Sequence, residues 1–536
     1  MTALTGTFDL THPSADFTSA GGCILNLREL AGTLGLDNPT AESLIATLYA
    51  KKGIAGFAEI AGSCVFAHYD AAKQQLILGR DIFGQAALYW GFKGNVVHFS
   101  ETIPQVADAA GRTPDPQAWR DYLALGYILP PCTRYKEVHR IAAGTVTIIR
   151  ADGTSEVQRY WAPRITPQEN LSKPEAEELI RAVLDKALAR VSAVAPDPIL
   201  LLSGGIDSTV LLGLMSRSKP PKCLTIGFSN RLYDERQAAA ASAARFGAPH
   251  QTVLGSADEI PLVKQRLRER EELFADSSLL PNLNLLSLAK DTPVLTGSGG
   301  DEFFGGYRRY RLMLLREKLG RCGTSALAGI LGTALKCFKA GERRSAITSL
   351  KRLAASFALP PIPGFISYQQ IFSDEEIRRL CPWAMEGTIG YAERMEAFLD
   401  SDISSLFGRV NCLDILTYLP DDGCLKLILA SQGTPVFSPI LDPDVLKAAL
   451  SLPQRFRTTL FDTKVMLKTI GAEYMPKESL AVPKKGFGIP VDDWFRESLA
   501  PAENPLIDSN EMKRLLAEHR QGSAANGAKL WALTVI

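Results

Sequence analysis

An uninterrupted apolar run, Pro198-Ile199-Leu200-Leu201-Leu202, empties directly into Ser203-Gly204-Gly205-Ile206-Asp207-Ser208, and a second apolar run from Thr209 to Met215 follows at once. A short run without polar alternation reads as a strand covered on both faces, which belongs in a parallel sheet. The run after the glycines continues as a helix. In such sheets ligands bind beyond the carboxyl ends of the strands, and the hexapeptide falls there. Its glycines let backbone N–H groups approach a polyphosphate, and the helix points its positive end at the same place. Ser203 and Ser208 can donate hydroxyl hydrogen bonds. Asp207 cannot donate to a phosphate, and an acid in an anion site reads as a Mg²⁺ ligand. The G-x-x-x-x-G-K-[ST] spacing of a Walker loop is absent.

The alternation continues. Cys223 to Phe228 reads as a second strand, and Asp234 to Phe246 as an Ala-rich helix ended by Gly247. Pro293-Val294-Leu295-Thr296-Gly297-Ser298-Gly299-Gly300-Asp301-Glu302 is again a strand that empties into glycines and an acid. Asp301 is the natural second Mg²⁺ ligand, facing Asp207. Strands alternating with helices predict an α/β fold with a doubly wound parallel sheet. From about residue 310 the pattern predicts helices. Arg308, Arg309 and Arg311 read as a solvated helix face.

The first 165 residues predict a different architecture. Short runs at Ser63–Tyr69, Gln75–Leu78 and Ala87–Trp90 are punctuated by Asp70, Gly84 and Gly94. Gly144–Ile149 and Glu156–Trp161 flank a turn at Asp152-Gly153, a hairpin signature. An antiparallel β-rich domain over 1–165 is expected, then a linker over 163–174, then a second domain over 170–536. Ser172 with Glu175 forms a capping box, and Pro174 occupies the first turn of the helix that follows. Arg80-Asp81 reads as an internal ion pair between the domains.

At 536 residues and 46% hydrophobic content the chain suits two or three domains. Lys and Arg number 59 against 58 acids, a balance that leaves no footprint for nucleic acid or an acidic membrane. Nine scattered cysteines form no C-x-x-C pair, as expected of free thiols in a reducing cytoplasm. The most apolar stretch, Leu327 to Phe338, is too short to span a bilayer.

With the two glycine–acid loops in place, the chain resembles the asparagine synthetase superfamily, with its β-lactam synthetase and lasso-peptide cyclase branches. The first loop resembles the pyrophosphate loop of ATP pyrophosphatases. The resemblance extends to Tyr233-Asp234-Glu235, Ala275-Asp276-Ser277-Ser278, Tyr418-Leu419-Pro420-Asp421-Asp422, Ser438–Asp442 and Val482-Pro483-Lys484-Lys485-Gly486-Phe487. In the N-terminal half it covers Gly22–Leu30, Gly79–Gly84 and Phe99-Ser100-Glu101. It implies an N-terminal Ntn-hydrolase-like amidotransferase domain before an ATP pyrophosphatase domain. It also implies a cytoplasmic ligase that uses ATP and Mg²⁺ to adenylate a carboxylate and then joins it to an amine. The implied nucleotide site comprises Leu202, Ser203, Gly204, Gly205, Asp207, Ser208, Ile226, Gly297, Ser298 and Gly299. Lys484 matches the lysine that stabilises charge as the amine attacks.

Three departures refine the expectation. Glutamine-dependent members begin Met-Cys-Gly-Ile, where this chain has Thr2 and Ala3. Their Arg-Gly-Pro-Asp run is missing, and Gly21-Gly22-Cys23-Ile24-Leu25-Asn26 stands for Asn-Gly-Glu-Ile-Tyr-Asn. The N-terminal domain therefore reads as silent in glutamine hydrolysis. Ser298 stands where relatives carry an acid or a tyrosine, so a base would come from elsewhere: Asp421 or Asp422, the substrate or solvent. Ile428-Leu429 and Phe437 replace charges expected to recognise aspartate. A precursor peptide closed into a macrolactam, with a leader-removing protease as a further partner, is the preferred reading. Ammonia-dependent asparagine synthesis, β-lactam closure and a non-catalytic scaffold are the other readings.

Overall fold

The computed structural model describes residues 3–12, 15–334, 346–400, 402–475 and 488–536. The first 160 residues build two antiparallel sheets from β1 (Thr5–Asp9), β2 (Phe17–Ile24), β3 (Gly62–Asp70), β4 (Gln75–Arg80), β5 (Tyr89–Lys93), β6 (Val96–Ser100), β7 (His139–Arg140), β8 (Thr145–Arg150) and β9 (Ser155–Arg159). One sheet has the order β1-β6-β5-β7 and the other β2-β3-β4-β8-β9. Both inner faces are apolar: Val65, Leu76, Leu78, Val97 and Phe99 fill the space between the sheets. The other face of the second sheet packs on the helix Ala41–Lys52 through Leu44, Ile45 and Leu48. The hairpin around Asp152-Gly153 forms as expected, with Ile148 opposite Glu156.

The second half carries a five-stranded parallel sheet: β10 (Ile199–Leu201), β11 (Cys223–Gly227), β12 (His250–Leu254), β13 (Val294–Leu295) and β14 (Val436–Phe437), in the order β12-β11-β10-β13-β14. Every pairing in it is parallel. The helix Lys173–Val194 starts at a Ser172–Glu175 capping box, as the sequence predicted, and buries Ile180, Leu184 and Val191.

The antiparallel β-rich domain forms as expected, as two sheets. Two details differ from the expectation. The helix expected from Asp234 begins at Arg236, because the Asp234 carboxylate accepts the Arg236 N–H at 3.2 Å and pairs with its guanidinium at 2.8 Å. The largely helical region after 310 also contributes β14. That strand is only two residues long and is recruited by pairing with β13, which local pattern does not reveal.

The two halves share a core. Ile82 and Phe83, from the loop after β4, lie in one apolar cluster with Phe303, Phe304, Ile415 and Leu441 of the second half. Full burial of a side chain such as Phe83 contributes ~1.5–3 kcal/mol, so this loop belongs energetically to both halves. Among the described residues, no helix is long and apolar enough to cross a membrane.

Candidate active site

Because β10 and β13 are neighbours running the same way, the loops after them open on the same edge of the sheet. The first is tied down by its own hydroxyls. The Ser203 N–H donates to Ser208 Oγ at 3.1 Å, the Gly205 N–H donates to Ser203 Oγ at 3.2 Å, and Ser208 Oγ donates to the Ser203 carbonyl at 3.2 Å. The helix Ile206–Met215 starts at Gly205 with no side-chain cap, which leaves its first N–H groups facing the opening. Ser203, Gly204 and Gly205 are half-buried, as are Gly297 and Ser298 of the second loop. Leu202 and Ile226 instead bury their side chains in the cores on either side of the sheet, so only their backbone is near this edge.

The two acids converge. Gly299, at φ 90°, turns the second loop back so that Gly300 passes over Asp207. A Cβ on Gly300 would collide with the Asp207 carboxylate, and one on Gly297 would lie 2.9 Å from Asp207 Cβ. Lys464 bridges the two carboxylates: its ammonium pairs with Asp207 and lies 2.8 Å from Asp301 Oδ1. The lysine is 3% exposed, and it sits 257 residues from Asp207 in the chain. No motif marked it. Asp207 Oδ1 is buried with no hydrogen-bond partner among the described residues. A converging carboxylate pair with one unsatisfied oxygen, already holding a cation, fits a divalent oxygen-liganded metal. Removal of Lys464 leaves two acids face to face without the cation between them. Lys464→Met is expected to lower unfolding free energy by about 3 kcal/mol in the absence of metal, with most of the loss recovered in millimolar Mg²⁺. Urea melts with and without the ion check this.

A second cluster lies beside the Asp301 loop. Asp422 lies near the end of a π-helical stretch, Asp414–Cys424, and is 5% exposed, with Oδ2 buried and without a hydrogen-bond partner among the described residues. Lys426 donates to Asp276 Oδ2 at 2.7 Å. Asp276 also caps its own turn by accepting the Ser278 N–H at 2.9 Å. Burial opposes charge on Asp276, but Lys426 holds its carboxyl below the usual range. Burial, together with the Asp276 charge, pushes Asp422 up to about 8, against Lys426 and a hydrogen bond from Tyr418. Glu302, raised by burial, is bonded by the Tyr307 hydroxyl at 2.6 Å.

Other candidates separate from this centre. Asp421 is 1% exposed between Arg140 (3.4 Å) and Arg80 (3.8 Å) of the N-terminal half, so it is an ion-pair partner and not a free base. Arg80 thus crosses between the halves as expected, whereas Asp81 accepts the N–H groups of Phe83, Gln85 and Ala86. Among the described residues, Ser298 Oγ has the Thr296 hydroxyl at 3.2 Å, and Ser438 holds the Ser298 carbonyl at 2.7 Å. Without an acid partner it is no base. Arg309 is not solvated: it pairs with Asp414 at 2.8 Å and lies 3.7 Å over the Tyr307 ring. Leu429 is in the core and Ile428 packs against the N-terminal half, so neither lines the cleft. Lys484 lies outside the described residues, as does Thr2.

The sequence comparison decides what this geometry belongs to. The asparagine synthase family matches residues 179–536, which contain both acid loops and Lys464. The chain is a member of the asparagine synthase family. The glutamine amidotransferase domain family matches residues 19–161, the two antiparallel sheets. A putative glutamine-hydrolyzing asparagine synthetase of Mycobacterium tuberculosis is 27% identical over 95% of this chain and 80% of its own length. Glutamine-hydrolyzing asparagine synthetase 1 of Bacillus subtilis is 24% identical over 94% and 80%. The carboxyethyl-arginine β-lactam synthase of Streptomyces clavuligerus is 28% identical over 32% of this chain and 34% of its own. Membership makes the protein an asparagine synthetase-like, ATP-dependent carbon–nitrogen ligase.

Proposed function

We propose that this ligase joins an activated carboxyl group to an amine carried by its own substrate, closing a macrolactam between the terminal amine and an Asp or Glu side chain of a linear precursor peptide. The observation that carries the ligase chemistry is the convergence of Asp207 and Asp301 on one cation position beside the Ser203–Ser208 loop. The absence of a working glutamine site supports the choice of amine. Gly21-Gly22-Cys23 replaces the glutamine-binding residues, and the Glu101 carboxylate fills the space over Gly21 while accepting the Leu4 N–H at 2.5 Å. Burial also raises the Cys23 thiol, the reverse of what a nucleophile needs.

The polyphosphate of ATP lies on the Ser203–Ser208 loop and the start of the helix behind it. Asp207 and Asp301 would hold Mg²⁺, which supplies charge neutralisation for the departing pyrophosphate. The substrate carboxylate attacks the α-phosphorus and pyrophosphate leaves. The amine then attacks the acyl carbon, AMP leaves, and the amine proton passes to Asp422. Lys464 would leave the two carboxylates to the metal and offer its positive charge to a phosphate oxygen. The supply of ATP puts the reaction in the cytoplasm, and a leader-removing protease would act on the same precursor.

Mass spectrometry of candidate linear peptides incubated with ATP and Mg²⁺ tests the reading. The expected result is loss of one water per peptide with equimolar AMP. Asparagine formed from aspartate and ammonium chloride, with no peptide dehydrated, replaces it with ammonia-dependent asparagine synthesis. That second reading is favoured by the extent of the match to the two asparagine synthetases.

A further inference from the structure

The N-terminal half makes one set of contacts that glutamine chemistry does not require. The loop after β4 reaches into the synthetase half. Phe83 packs on Phe303, two residues beyond Asp301, with ring centroids 5.4 Å apart. Gly84, at φ 69°, lies so close to Pro420 that a Cβ there would be 2.8 Å from the proline's Cβ and 2.6 Å from Arg80 Nη2. Behind this loop, Arg80 is fully buried and fixed by donating to three carbonyls: Ala86 at 2.6 Å, Gly84 at 2.9 Å and Ile141 at 3.1 Å. Arg140, also buried, donates to the Ile128 carbonyl. Both guanidinium groups face Asp421.

Asp421 and Asp422 sit in a π-helical stretch that contains Pro420. A π-turn with a proline inside is a poor helix by its own energetics, because it lacks one N–H donor and has wide, weak hydrogen bonding. Such geometry persists where neighbours over-determine it. At its start Asp414 is held by Arg309 at 2.8 Å and by the Tyr310 hydroxyl at 2.6 Å. At its end Asp421 lies between Arg80 and Arg140 of the N-terminal half, with Arg394 also acting on it, while Lys426 acts on Asp422.

We propose that the N-terminal half serves the ligase site as a brace, with Arg80 and Arg140 pinning Asp421 and so setting the position of Asp422. Arg80 and Arg140 are positioning residues and touch no substrate. The proposal rests on the role given to Asp422 above. It gives the amidotransferase-like half a task that needs no glutamine. The groups facing Asp422 are Asp276, Lys426, Tyr418, Glu302 and Tyr127, so displacing the stretch moves the acid relative to all of them.

The test is hydrogen–deuterium exchange on the full chain, with Arg140→Met, Arg140→Lys and Asp421→Asn compared with the parent. Truncating one partner of a buried charge pair costs enough to raise local opening by about thirtyfold. The expected result is a rise of that size in residues 414–426 for Arg140→Met and Asp421→Asn, with exchange in 199–215 unchanged and partial recovery in Arg140→Lys. The substrate that turns over, whether cyclising peptide or aspartate with ammonium chloride, gives a second readout: kcat falls while the KM for ATP holds. Unchanged exchange in 414–426, or an equal rise throughout the molecule in both charge-removing variants, overturns the brace. Exchange is measured without substrate, so the brace stands or falls independently of whether any peptide is cyclised.

Discussion

Asp207→Asn and Asp301→Asn, made singly, are expected to lower substrate-dependent ATP–pyrophosphate exchange by about 10²–10³ while leaving the fold intact. The magnitude follows from the loss of one ligand to the Mg²⁺ that would neutralise the developing negative charge. Asp207 carries the unpartnered oxygen Oδ1 and shares Lys464 with Asp301. In either variant Lys464 is left with one carboxylate instead of two, so Mg²⁺ affinity should fall more than affinity for the free nucleotide. Exchange assays across a Mg²⁺ titration separate these effects. Activity restored by raising Mg²⁺ supports a lost metal ligand. A loss independent of Mg²⁺ assigns the acids to the fold.

Asp422→Asn is expected to behave in the opposite way. Pyrophosphate exchange should remain within about threefold of the parent, because the acid lies off the phosphate loops. Amide formation should fall by about 10²–10⁴, the usual range for a lost general base. The pH dependence carries a sign. Burial and Asp276 hold Asp422 protonated up to about 8, and a base must be ionised. Amide formation therefore rises with pH through about 8 in the parent and loses that limb in Asp422→Asn. Linkage gives an independent check. A carboxyl raised in the folded state contributes stability that is full below its unfolded value of about 4 and is lost as pH rises towards 8. Asp422→Asn removes that loss, so its stability advantage over the parent should grow from pH 5 to pH 9. A variant that loses exchange and amide formation together would make Asp422 a structural residue.

What the sequence revealed and what it hid follow from range. The strand–loop–helix at Ile199–Met215, the capping box at Ser172 and the hairpin at Asp152-Gly153 are local objects, written in consecutive residues, and they formed as read. Two acid loops were readable because each carries its own strand and glycines, and neighbouring strand order then brought them together. Lys464 had no local signature. Its role comes from being folded against residues far away, and an isolated lysine in Thr463-Lys464-Val465 looks like any surface lysine. Arg309 was misread for the same reason. Its acid partner, Asp414, is 105 residues away, and a charged helix face defaults to solvent when its partners are not adjacent. The Asp421-Asp422 pair was visible as two acids. Only the structure separates them, one to the arginines of the N-terminal half and the other to Lys426 and Asp276.

The same contacts tie the N-terminal half to the ligase half. Phe83 fills the shared core, and Arg80 is buried on carbonyls of its own half while facing an acid of the other. A truncated chain lacking these residues would expose that core and strip Asp421 of Arg80 and Arg140.

The most direct measurement is a crystal structure of the full chain with Mg²⁺ and α,β-methylene-ATP. The predicted result is metal bound by Asp207 and Asp301 together, the triphosphate on Ser203–Ser208, and the Lys464 ammonium moved from the carboxylates to a phosphate oxygen. A nucleotide seated elsewhere, or metal held with Lys464 still bridging the two acids, would contradict the account.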